Sequence, residues 1–210
     1  MRTPAARAPV FVGLLVGLLT ALGAAPAQAR LIDFYAGPRA RVIAGWGNKS
    51  GTPDFFDKVR GAALGAEAGA KLLVFQLSVS FLQMIDGGGR SGTLSQAILG
   101  VEIDIPIGEA RMKDGRRKLL LRPGTGAGVG FGTPGPVSPP LSNDQISHKG
   151  LVTQTRLALE YNPHELFGFG VEGMFGYHYF VGAQAVNDVS THDSGYHLSV
   201  LATATLHLGY

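Results

Sequence analysis

The sequence predicts an all-β protein, a single antiparallel up-and-down transmembrane β-barrel of about eight strands. Three observations carry that expectation. The first is residues 196–210, YHLSVLATATLHLGY, which place Tyr196, Leu198, Val200, Ala202, Ala204, Leu206, Leu208 and Tyr210 on one parity. The other parity holds His197, Ser199, Leu201, Thr203, Thr205, His207 and Gly209. Strand side chains alternate between two faces, so this stretch has one apolar face, closed at each end by an aromatic ring as in lipid-facing strands. The second is that no segment after residue 29 offers a helical span, although the composition is rich in Gly and poor in charge. A membrane chain without apolar helices has to close a barrel, because every backbone N–H and C=O must be paired within the protein. The third is that charges avoid the apolar parity of every strand.

Residues 1–29 read as a cleaved secretory signal: Arg2 and Arg7 precede the uncharged core VFVGLLVGLLTAL, and Ala27-Gln28-Ala29 gives the small-x-small cleavage pattern. The core is shorter than the ~20 residues of a membrane helix. The chain has no Cys, so neither a lipid anchor nor a disulfide is expected. Residues 30–210 form the barrel domain. Without Arg2 and Arg7, the 18 basic side chains become 16, against 15 acidic, so the remaining net charge of +1 makes no case for nucleic acid.

The strands follow in order. Residues 34–46 set Ala36, Pro38, Ala40, Val42, Ala44 and Trp46 against Tyr35, Arg39, Arg41 and Ile43, with Pro38 signalling a bulge or an unpaired edge. After a charged loop at 47–61, residues 62–72 oppose Leu64, Ala66, Ala68, Ala70 and Leu72 to Glu67 and Lys71. A turn near 71–73 leads into residues 73–84, where Phe75, Leu77, Val79 and Phe81 alternate with Gln76, Ser78 and Ser80. The loop at 86–92, DGGGRSG, lacks the Lys-Ser/Thr and helix of a phosphate cradle and reads as a turn. Residues 93–107 carry Ala97, Leu99, Val101, Ile103 and Ile105 opposite Gln96, Glu102 and Asp104, and the basic turn at 108–117 contains the hairpin dipeptide Asp114-Gly115.

Residues 118–131 oppose Leu119, Leu121, Thr125, Ala127, Val129 and Phe131 to Arg122, Gly124, Gly126, Gly128 and Gly130. Such a glycine row makes room for bulky neighbours in a narrow barrel or lets the sheet curve. A Pro-rich loop at 132–150 precedes residues 151–161, with Leu157, Leu159 and Tyr161 against Gln154, Arg156 and Glu160. A turn at 162–165 gives way to residues 167–181, with Phe167, Phe169, Val171, Phe175, Tyr177, Tyr179 and Val181 outward and Glu172 and His178 inward. A polar loop at 184–195 leads to the closing strand. Long and short connections alternate, as in bacterial outer-membrane barrels with their turns in the periplasm.

Ten charges fall on the inward parity and form a balanced lumen network: Arg39, Arg41, Lys71, Arg122 and Arg156 with Glu67, Glu102, Asp104, Glu160 and Glu172. The other charges lie in loops, turns or strand ends, and none lies on the outward face, where a midplane Lys or Arg costs roughly 2–4 kcal/mol. Trp46, Phe131, Tyr161, Phe167, Tyr177, Tyr179, Tyr196 and Tyr210 are the candidate membrane-interface aromatics. A soluble calyx of the lipocalin kind would invert the faces, but its water side should be rich in Lys and Glu and would need no aromatic girdle.

With these strands in place, residues 30–210 resemble the small OmpA- and OmpX-type outer-membrane barrels. The resemblance is architectural. The closing strand also resembles their C-terminal assembly signal, with Leu206, Leu208 and Tyr210 in the apolar places, although it has Tyr where Phe is commoner and Thr205 where Gly is often found. It implies outer-membrane location, contact with the bilayer and lipopolysaccharide, and handling by the barrel-assembly machinery through the last strand. The expected protein is a monomer with no cofactor and no metal, and its role is structural or interaction-based (adhesive), with loops on the exterior. A narrow pore or carrier for small solutes is the alternative. A lipid A-modifying enzyme comes third: His197 and Ser199 resemble the His-x-Ser pair of outer-membrane lipid A deacylases, but here they face the lumen. A metal shared by His178, His197 and His207 is disfavoured, because ten residues of strand separate the last two by roughly 30 Å. Phe55 and Phe56 in the first loop offer a surface for polysaccharide or protein.

Overall fold

Eight antiparallel strands close on themselves, one of them divided into two segments. The computed structural model describes residues 31–48, 60–85, 92–133, 147–183 and 190–209, so the expected signal at 1–29 and Tyr210 lie outside the described residues. The strands are β1 Ile32–Asn48, β2 Arg60–Leu72, β3 Phe75–Ile85, β4 Thr93–Glu102, β5 Ile105–Arg111, β6 Arg117–Thr133, β7 Ser147–His164, β8 Phe167–Ala183 and β9 Ser190–Gly209. They run in the order β4-β3-β2-β1-β9-β8-β7-β6-β5, and β4 also pairs with β6 to close the ring. Val101 lies opposite Thr125 on β6 and Ile105 opposite Leu121, which is one continuous register through β4 and β5. Ile103 donates its N–H to the carbonyl of Pro123 at 3.0 Å, but proline has no N–H to return. The ladder lapses there, and β4 with β5 makes one barrel strand.

Pro38 acts in the same way. The β1–β9 pairing skips Gly37 and Pro38 but resumes in the same register, so the edge is locally unpaired and not bulged. Strand bounds otherwise differ from the sequence expectation by a few residues. The expected turn at 162–165 is instead Glu165–Leu166, because β7 continues to His164 through a one-residue register shift after Tyr161. At the same rim the two-residue turn Leu73–Val74 joins β2 to β3, with Leu73 at φ 56°, a left-handed conformation that costs a non-glycine residue roughly 1–2 kcal/mol. This rim, which also carries Ile32 and Gly209, is the turn rim. Residues 49–59, 86–91, 134–146 and 184–189, which connect strands at the other or loop rim, lie outside the described residues.

The apolar parity faces out. Leu77, Val79, Leu99, Leu151, Val200 and Val171 all stand more than half exposed around the wall, and Phe180 and Val152 are among the few large apolar side chains fully enclosed. A soluble protein would expose the reverse set. With backbone groups paired around the ring and aliphatics outside, the barrel is built to span a bilayer. The longer strands correct one expectation: Lys149, Arg111 and Arg117 lie within strands, with Lys149 opposite outward Phe131 and both arginines at the end of the β5–β6 hairpin. They sit at the wall's two ends, where such charges reach headgroups and water.

Candidate functional site

The lumen of an eight-stranded barrel is just wide enough for side chains to fill. Its inward residues change character along the strands. From turn rim to loop rim, β1 passes from Asp33 to Ile43, β2 from Lys71 to Ala63, β3 from Gln76 to Met84, β4 from Glu102 to Leu94, β7 from Glu160 to Val152 and β8 from Glu172 to Phe180. The turn half is therefore polar and the loop half apolar.

In the polar half, Glu102 is the hub. It forms ion pairs with Arg156 at 2.5 Å, Arg122 at 3.3 Å and Lys71 at 3.4 Å. Asp104 adds contacts to Lys71 at 2.5 Å and Arg122 at 2.8 Å, and Arg122 reaches Glu160 at 2.6 Å. Glu67 lies 3.6 Å from Arg156 and 3.7 Å from Arg39, which also donates to Thr205 Oγ1 at 3.1 Å. Arg156 donates to Gln76 and Gln76 to Tyr35. At the rim, His207 bridges Asp33 at 2.7 Å and Glu160 at 3.4 Å, while Asn162 donates to Glu160 at 3.0 Å. The barrel thus brings eight of the ten sequence-selected charges into one paired network.

Arg41 and Glu172 stay out of it: neither forms an ion pair among the described residues. Arg41 donates to Ser199 Oγ at 2.9 Å and lies 3.3 Å from His197 Nε2. Glu172 is buried, and its Oε1 has no hydrogen-bond partner. Arg39, Glu67 and Glu172, each with one buried side-chain atom that makes no hydrogen bond, line the same cavity of about 30 Å³. That is room for roughly two waters, the usual means of satisfying such groups.

Between the halves lies a histidine layer. His197 and His178 approach at 3.1 Å between Nδ1 atoms, and His178 Nε2 meets Gln96 at 2.8 Å. The His197 ring covers Gly176, where any Cβ would collide with it. Above this layer Ile43, Ala63, Leu82, Met84, Leu94, Ile98, Val152 and Phe180 form one apolar cluster across the lumen. The glycine row on β6 serves both halves. A Cβ would stand 3.2 Å from Arg156 at Gly124, 2.7 Å from Ile98 at Gly126 and 2.6 Å from Val152 at Gly130. The bulky neighbours are thereby identified.

Of the selected aromatics, Phe131, Tyr161, Phe167, Tyr179 and Tyr196 are exposed on the wall, and Tyr177 is half-buried against Tyr196 at 4.9 Å between rings. Trp46 lies opposite Tyr196 in register, its side chain outside the description, as is all of Tyr210. Phe34, Phe75, Phe81, Phe169 and Phe175 also face outward.

No family model matches the sequence, and no characterised protein matches it either. The fold is similar to Neisserial surface protein A, with TM-score 0.55 and 8% identity over 82% of this chain and 96% of that one. The fold is that of the small OmpA- and OmpX-like barrels. Outer membrane protein OprG of Pseudomonas aeruginosa gives TM-score 0.44 at 9% identity over 86% of this chain and 98% of its own. Ail of Yersinia pestis gives 0.43 at 11% over 84% and 97%.

Proposed function

We propose that this chain is an integral protein of the bacterial outer membrane whose lumen is a plug and whose work is done outside the barrel, as a structural or adhesive interaction protein. The turn rim faces the periplasm, the loops face the exterior, and the wall contacts phospholipid and lipopolysaccharide after delivery by the assembly machinery. The observation that carries the reading is the double closure of the lumen. An ion entering from the turn half meets paired charges, then the histidine layer, then an apolar cluster where dewetting opposes passage. Interaction falls by default to the loop rim, where residues 49–59 hold Phe55 and Phe56. Planar-bilayer recording on the refolded protein tests this: a baseline without unitary steps is expected, and regular steps would establish the pore reading in its place.

The hydrolase reading is the weaker one. Ser199 and His197 are each 2% exposed inside the lumen, and both face Arg41 with no hydrogen bond between them. A lipid ester on the wall lies on the opposite face of the sheet from that buried serine. Unchanged lipid A in cells expressing the protein, with or without Ser199→Ala, is the expected result.

A further inference from the structure

We propose that the β5–β6 hairpin is a binding site for the phosphate headgroups of anionic phospholipids in the leaflet at the turn rim. The proposal rests on the bilayer-spanning reading of the wall and on the placement of the basic residues within it.

The other described connections at this rim are two-residue turns, Leu73–Val74 and Glu165–Leu166. This hairpin is longer and basic. Arg111, Lys113, Arg116, Arg117 and Lys118 stand against Glu109 and Asp114, a net of +3 within ten residues of a chain whose residues 30–210 total +1. Asp114 is engaged by Arg116, whose backbone N–H it also accepts at 3.1 Å. Arg117, Lys113 and Lys118 form no ion pair among the described residues, and Arg111 donates only to the carbonyl of Gly115 at 2.9 Å.

Register fixes the depth. Leu119 lies opposite Tyr161, an exposed wall aromatic whose neighbours Glu160 and Asn162 point inward. Leu119 and Leu121, with their partners Ile107 and Ile105, therefore continue the wall. Arg117 is two residues beyond Leu119 on the same face, roughly 7 Å past the tyrosine level. Its cross-strand partner is Arg111. Like charges directly opposite each other destabilise a hairpin unless an anion neutralises them. Apolar chains below and two guanidiniums one step further out match an acyl chain joined to a phosphate, which arginine binds in bidentate fashion.

The test uses the full chain refolded into phosphatidylcholine vesicles, with and without phosphatidylglycerol. The readout is the temperature at which the compact, heat-modifiable gel form is lost. Phosphatidylglycerol should raise this midpoint by about 4 °C, as a ligand of the folded form does. Arg111→Gln/Arg117→Gln should abolish the rise while still giving the compact form in phosphatidylcholine. Should the double variant not fold, Arg117→Gln alone is expected to lose about half of the rise. An equal rise in the variants, or its reproduction by inorganic phosphate over phosphatidylcholine, overturns the proposal, the latter by making the site one for free anions. Absence of a compact form for the unaltered protein in every vesicle would instead sink the barrel reading.

Discussion

The two halves of the lumen close the same barrel by opposite physics. The turn half is held by charge: three cations converge on Glu102, and each was removed from water at a cost that only its partners offset. The loop half is held by packing, with Phe180 and Val152 fully enclosed and set into the space left by Gly130. Removing one partner from the first strands a charge; removing one side chain from the second leaves a hole. The costs are similar, but the couplings should differ.

The largest expected loss is at Glu102→Gln, which keeps the shape and removes the charge that Lys71, Arg122 and Arg156 share. About 4 kcal/mol of stability should disappear, as for breaking a buried pair, read by urea unfolding in vesicles. Phe180→Ala should cost about 3 kcal/mol through cavity formation. Its effect on conductance sharpens the contrast: thinning the apolar half should raise leak in a planar bilayer, whereas Glu102→Gln should leave the baseline flat. Combining Glu102→Gln with Phe180→Ala should give additive losses within about 0.5 kcal/mol, since the two share no partner. Combining Glu102→Gln with Arg156→Gln should fall short of additivity by more than about 1 kcal/mol, because both break one contact. Additivity in both cycles would dissolve the distinction between the halves. The smallest effect lies outside the lumen: Leu73→Gly should gain about 1 kcal/mol by relieving a left-handed φ, with both lumen halves unchanged.

The wall was the most legible part of the chain, because a lipid face tolerates only apolar residues and so imposes strict alternation. The closing strand shows it best, with Leu198, Val200 and Leu208 outward and His197, Ser199 and His207 inward. The glycine row could be read as space for neighbours, but which neighbours was set by register with β4 and β7, and pairing offsets are not written in one strand. The apolar half of the lumen was hidden for a physical reason. Where a strand is buried by lipid on one face and by core on the other, both parities are apolar and the period disappears, as at Ala97-Ile98-Leu99 and Tyr179-Phe180-Val181. Pro123, in contrast, sat in plain view within an expected strand and marks the lapse that divides β4 from β5. That Glu172 makes no ion pair among the described residues and leaves Oε1 without a hydrogen bond was beyond reach, since a balanced charge count says nothing about distances.

The apolar cluster also has a meaning in time. Its members come from β1, β2, β3 and β4 on one side and from β7 and β8 on the other, so hairpins zipping together in the membrane cannot assemble it piecemeal. It exists only once the ring has shut. Interactions that form after the barrier slow unfolding without speeding folding. The cluster would then act as a latch, giving a closed barrel a lifetime longer than its equilibrium stability alone implies.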